Sequence, residues 1–182
     1  MGAISIYQQA EKAARKYHTR NPYELLDAVG AVTEVVYDFP AHGLKGFCTI
    51  LNKTKYAVIN GNLSKDEQRI VAGHEAAHLI LHKREILLSP AYALKDFNLY
   101  DGSGKLEFEA NTFASNFLIA DKCVLDALDD PEGNYFTLAT ELRVPPPLLA
   151  FKLYSMAKRG YEIWNPLDLD SKFLRGLKLK GN

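Results

Sequence analysis

VAGHEAAHLILH, residues 71–82, decides how the chain is read, because it sets His74 and His78 four positions apart around Glu75 in a run of small and apolar residues. On an α-helix, residues four apart differ by roughly 40° of rotation and one turn of rise, so two imidazoles at this spacing can converge on one point. Polar groups on an apolar helix need partners. A shared metal ion satisfies both rings. Glu75, next to the first histidine, is then directed at the corner left for water, where a carboxylate can take the proton of a water activated by zinc. Ser64, followed three positions later by Glu67, is a capping-box signature. It predicts a helix from about residue 65 to 83.

Two histidines leave a catalytic Zn2+ one protein ligand short. The spacing H-E-x-x-H-x-x-G-x-x-H would supply a third histidine, but LILH follows here, with neither that glycine nor that spacing. His82 lies about 80° around the helix from His74. It faces the neighbourhood of the site, which leaves open a group that supports a ligand, one that meets substrate, or a plain core histidine. The remaining source is a glutamate from a second helix, the gluzincin solution, and KLEFEANTFASNFL (105–118) offers Glu107 and Glu109. Its apolar stripe runs through Leu106, Ala110, Phe113, Ala114 and Phe117. Glu107 lies roughly 50° from the centre of that stripe and Glu109 about 110° away on the other side. Glu107 is therefore the expected third ligand, and Glu109 is expected to be an ordinary solvated or ion-paired residue. Asn111, one turn beyond Glu107, is placed to hydrogen-bond a ligand histidine or Glu107 itself.

The remaining chain reads as scaffold. Apolar residues at helical spacing predict a first helix over residues 4–18, and a short second one follows Asn21-Pro22. TEVVYDF (33–39), KGFCTILN (45–52) and KYAVIN (55–60) predict three short strands, the last two forming a hairpin. Residues 83–104 read as a long connection, of the kind that often lines a functional site. YFTLATELRVPPPLLAFKLYSMAKRG (135–160) predicts helix, a turn containing Pro145, Pro146 and Pro147, then helix. The tail from Trp164 has no firm period and reads as a frayed terminus.

With 182 residues, 47% of them hydrophobic and 24% charged, the composition is that of a globular protein able to bury a substantial core. Lys+Arg and Asp+Glu both number 22, so no overall field draws the chain to nucleic acid or an anionic membrane. Direct DNA binding through residues 135–159 is accordingly not expected. No run approaches the length of a spanning helix, and the first residues lack the apolar stretch of a signal peptide. A cytoplasmic location is expected. Cys48 and Cys123 lie far apart and outside any C-x-x-C pair, and both are expected to be buried thiols.

The succession of a strand hairpin, LSKDEQRIVAGHEAAHLILH (63–82) and EFEANTFA (107–114) resembles the ImmA/IrrE family of bacterial and phage metallopeptidases. The match spans about residues 40–120. It implies an α+β fold: a zincin-like, mainly helical core with a small three-stranded sheet over residues 1–122, a helix-turn-helix-like region over 123–160, and a C-terminal tail over 161–182. It also places His74, His78 and Glu107 on the metal positions and Glu75 on the catalytic base, with a helix-turn-helix transcriptional repressor as the substrate partner. Members of the family often end the glutamate helix with L-L-M-P, where this chain has Phe117-Leu118-Ile119-Ala120. That departure alters a helix stop and leaves the ligands untouched. The competing expectation is an antirepressor or binding protein that captures its partner around a structural metal, its fourth corner closed by His82 or Glu109.

Overall fold

The computed structural model describes residues 1–40, 42–88, 104–128 and 134–163. Its chain order is α1 (Ala3–Tyr17), α2 (Pro22–Ala28), β1 (Ala31–Val36), β2 (Gly46–Leu51), β3 (Thr54–Asn60), α3 (Lys65–Leu81), α4 (Lys83–Leu88), α5 (Lys105–Leu118), α6 (Asp121–Leu128), α7 (Tyr135–Glu141) and α8 (Pro146–Lys158). The architecture is α+β, a mostly helical core carrying one small sheet. No helix among the described residues is long and apolar enough to cross a membrane.

The sheet has the order β1-β3-β2. β2 and β3 form the expected antiparallel hairpin, with Leu51 opposite Thr54. Asn52 and Lys53 take φ values of 49° and 70°, the left-handed pair that matches strand twist in a tight hairpin. β1 pairs parallel to β3, with Ala31 opposite Lys55, and leaves β2 as the edge beside α3.

Helix α3 starts where its capping box demands: Ser64 Oγ accepts from Glu67 N while the Glu67 carboxylate accepts from Ser64 N. It packs most extensively on α5, which also meets α1 and α8. A Cβ on Gly73, immediately before His74, would lie 3.2 Å from Leu118 Cδ1 of α5, a tight fit that glycine relieves. Because α5 is covered on three sides, every residue from Glu109 to Leu118 is buried. Of the two expectations for Glu109, solvated or ion-paired, the second holds, with the carboxylate buried as well. A single apolar stripe measures one buried direction, whereas here two flanks are covered as well.

Helix α8 is tied to α6 and α1 by a buried ionic cluster. Lys152, fully buried, places Nζ 2.6 Å from Asp121 Oδ1 and 3.2 Å from Asn116 Oδ1. Arg159 Nη2 donates to the same carboxylate at 2.8 Å, with its guanidinium 3.6 Å from the centre of the Tyr7 ring. Buried residues of α8 such as Leu148, Leu149, Leu153 and Met156 share one hydrophobic cluster with those of α3 and α5.

Three further details differ from the sequence expectations. The segment after His82 opens with helix α4, whose Ile86 is buried and whose first turn is closed by Ile86 N–H to His82 O at 3.0 Å. Pro146 and Pro147 lie inside the first turn of α8, with Pro145 as its N-cap, since a missing N–H is harmless there. Cys48 is buried in β2, but Cys123 is exposed on α6. Tyr92 and Tyr100, candidates with His42 and His82 by residue type alone to hold a reaction oxyanion, lie outside the described residues, as do the body of the long connection and the tail beyond residue 163.

Candidate metal centre

The four-residue spacing on α3 and the α3–α5 crossing bring three donors to one place. His74, His78 and Glu107 each offer a ligand atom, and these atoms lie within 4.8 Å of one another. His74 Nε2 is 2.9 Å from His78 Nε2 and 3.1 Å from Glu107 Oε2, and His78 Nε2 is 3.5 Å from Glu107 Oε1. Both imidazoles are fully buried, whereas the Glu107 side chain keeps 23% exposure. Glu107 therefore marks the side of the cluster that reaches solvent.

The outer ring nitrogens identify which nitrogens are free to coordinate. His74 Nδ1 is 2.9 Å from Asn111 Oδ1. An amide oxygen only accepts, so the proton resides on Nδ1 and leaves Nε2 with its lone pair. His78 Nδ1 faces His82 Nδ1 at 2.9 Å, and His82 Nε2 lies 3.1 Å from Glu109 Oε2. Glu109 also pairs with the Met1 amino group. The His74 Nε2 lone pair, the adjacent His78 Nε2 and the Glu107 carboxylate thus face one point. Three electron-pair donors crowd together in this way only around a cation or a shared proton, so the residues fit a divalent metal.

The electrostatics agree with that fit. Burial pushes the His78 imidazolium down to about 3, opposed by the adjacent Glu107 carboxylate. A neutral ring is the ligating form. Burial would raise the Glu107 carboxyl, but its close contacts with the His74 and His78 rings outweigh it and hold the group well below its ordinary range. The same balance, with the Met1 amine and His82 as donors, keeps Glu109 ionised despite its burial.

Glu75 is fully buried on α3 and lies against the start of β2. A Cβ on Gly46 would stand 3.2 Å from Glu75 Oε1, 2.9 Å from Val58 O and 2.4 Å from Val71 Cγ1. Only glycine lets the strand come this close to the glutamate. His82, at the C-cap of α3, is turned to His78 and Glu109, away from the Nε2 atoms of the cluster. His42 lies near Glu67 at the opposite end of α3. Glu109, expected as a solvated or ion-paired residue, is ion-paired and buried, its carboxylate shared between His82 and the Met1 amino group.

Compared with curated proteins, the chain matches none. Residues 31–154 match the IrrE N-terminal-like domain, a stretch that contains the sheet, the whole histidine–glutamate cluster and most of α8. The resemblance first carried by HEAAH and EFEANTFA thus extends over most of the chain, and the protein belongs to the ImmA/IrrE family.

Proposed function

We propose that the protein is a zinc-dependent endopeptidase that cleaves a helix-turn-helix transcriptional repressor, relieving repression of a prophage, mobile element or stress regulon. The observation that carries this reading is the convergence of His74 Nε2, His78 Nε2 and the Glu107 carboxylate beside the buried Glu75. Among the described residues the cluster comprises three protein ligands, the number that leaves a coordination position for water and substrate. A structural site would fill four. His82 and Glu109, the candidates for closing it, are instead engaged with His78 and with each other.

When bound, zinc supplies a Lewis acid that polarises a scissile carbonyl and acidifies a water. Glu75 acts as the general base and afterwards returns the proton to the leaving amine. Its burial against Gly46 limits its rotamers and keeps bulk water from competing for that proton. β2, the sheet edge alongside α3, has backbone groups suited to pairing with an extended peptide near Glu75. Helices α7 and α8 contribute to partner recognition rather than to DNA binding. Two of the basic side chains there, Lys152 and Arg159, are already committed to Asp121.

The test combines zinc content with intact-mass measurement after incubation with the repressor encoded beside this gene. Wild-type protein is expected to carry zinc and to convert the repressor into two fragments. Glu75→Gln should retain zinc and yield none. Cleavage by that variant at the wild-type rate would remove Glu75 as base, and stoichiometric capture without fragments by the wild type would establish the antirepressor instead.

A further inference from the structure

We propose that His82 and Glu109 form a two-residue relay that locks His78 in the Nδ1–H tautomer and so aims its Nε2 lone pair at the metal. They are positioning residues for the site, and the inference rests on the metal-centre reading of His74, His78 and Glu107.

The directions of the hydrogen bonds carry it. The Glu109 carboxylate pairs with the Met1 amino group on its other side and accepts from both neighbours, so the contact at 3.1 Å has His82 donating from Nε2. A neutral His82 that is protonated at Nε2 presents a bare Nδ1. That nitrogen, 2.9 Å from His78 Nδ1, is then the acceptor, and His78 must supply the proton. One carboxylate on α5 thereby sets the tautomer of two rings on α3. The other ligand, His74, reaches the same state through the amide oxygen of Asn111. The two ligand histidines thus have chemically different supports, His82 backed by Glu109 for His78 and the Asn111 amide for His74.

Burial makes the relay specific. His82 is 2% exposed and Glu109 4%, so water has little access to substitute for either partner. His82 also ends α3, with its own N–H bonded to His78 O at 2.9 Å, which fixes the backbone from which the ring projects. Supports of this kind change metal affinity by about tenfold to a hundredfold when removed.

The test uses the full chain with histidines labelled with 15N and loaded with one equivalent of zinc, together with competitive zinc titration. The expected spectrum shows His82 as the Nε2–H tautomer with an unprotonated Nδ1. His82→Phe should weaken zinc binding about tenfold to a hundredfold. His82→Gln, whose amide oxygen can accept from His78 Nδ1, should recover most of that loss. Glu109→Leu should move the His82 proton off Nε2 and weaken zinc binding. A wild-type His82 protonated at Nδ1, or a His82→Phe protein binding zinc as tightly as wild type, would overturn the relay. Wild-type protein that takes up no zinc would overturn the metal-centre reading beneath it. The wild-type spectrum needs no variant to fold.

Discussion

Asn111 Oδ1 and His74 Nδ1 meet at 2.9 Å across the α3–α5 interface, both side chains buried. This bond decides which face of the first ligand ring is available. Asn111→Leu should lower zinc affinity about tenfold to a hundredfold by freeing the ring to rotate and change tautomer. Asn111→Asp retains an acceptor and should lose less. Competitive titration against a chromophoric chelator checks both, and equal affinities for the Leu variant and the wild type would refute the support.

Gly46 holds β2 against α3, and its replacement by alanine has nowhere to put a methyl group. Val58 O, a backbone atom, stands 2.9 Å from the Cβ position, and Val71 is closer still. Gly46→Ala should destabilise the protein by about 1–3 kcal/mol through overpacking. It should also reduce the catalytic rate more than zinc affinity, because the strand would shift against Glu75 rather than against the ligands. Denaturant unfolding and zinc titration on the same variant separate these effects.

Asp121, Lys152 and Arg159 form a cluster whose members are unequal. Removing the carboxylate in Asp121→Ala leaves the fully buried Lys152 ammonium without its anion and should cost about 3–5 kcal/mol. Burial already lowers the Lys152 pKa to about 8, against the upward pull of Asp121. Lys152→Met removes the charge and keeps the volume, so it should be milder than Asp121→Ala. Urea midpoints for the two variants in the opposite order would reject this account of the cluster.

Acid should destabilise the metal-free protein in a window set by His78. Unfolded, the ring takes a proton near 6.5; folded, burial keeps it neutral to about 3. The unfolded chain therefore binds the extra proton as pH falls from about 6.5 towards about 3, and stability drops through that interval. Glu107, whose folded pKa is also depressed, adds a loss in the same direction below its ordinary 4.5. Unfolding free energies of chelator-treated protein at a series of pH values should show this slope, and His78→Gln should flatten it above pH 4.5. Parallel slopes would show that His78 is not buried as a neutral ring.

Local geometry made part of the site legible before any fold was known. Two residues four apart on one helix must share a face, so the pairing of His74 with His78 follows from helical rise and rotation alone. Angular position relative to the apolar stripe of α5 also selected Glu107 over Glu109. The capping box placed the start of α3, and the β-branched runs placed the strands, because those signals act between near neighbours.

The status of Glu109, by contrast, depends on what covers the flank of α5, and no helical wheel holds that information. α1 and α8 come from opposite ends of the sequence to enclose this helix. Their arrival turns an apparently solvated carboxylate into a buried acceptor for His82. The close contact of Gly46 with Glu75 arises in the same way, from a strand and a helix that meet only after the chain has folded. The sequence by itself determined which side chains could converge on a metal, since that is a property of one helix and its spacing. The tertiary structure decided their tautomers, burial and support, because these depend on atoms contributed by segments far apart in the chain.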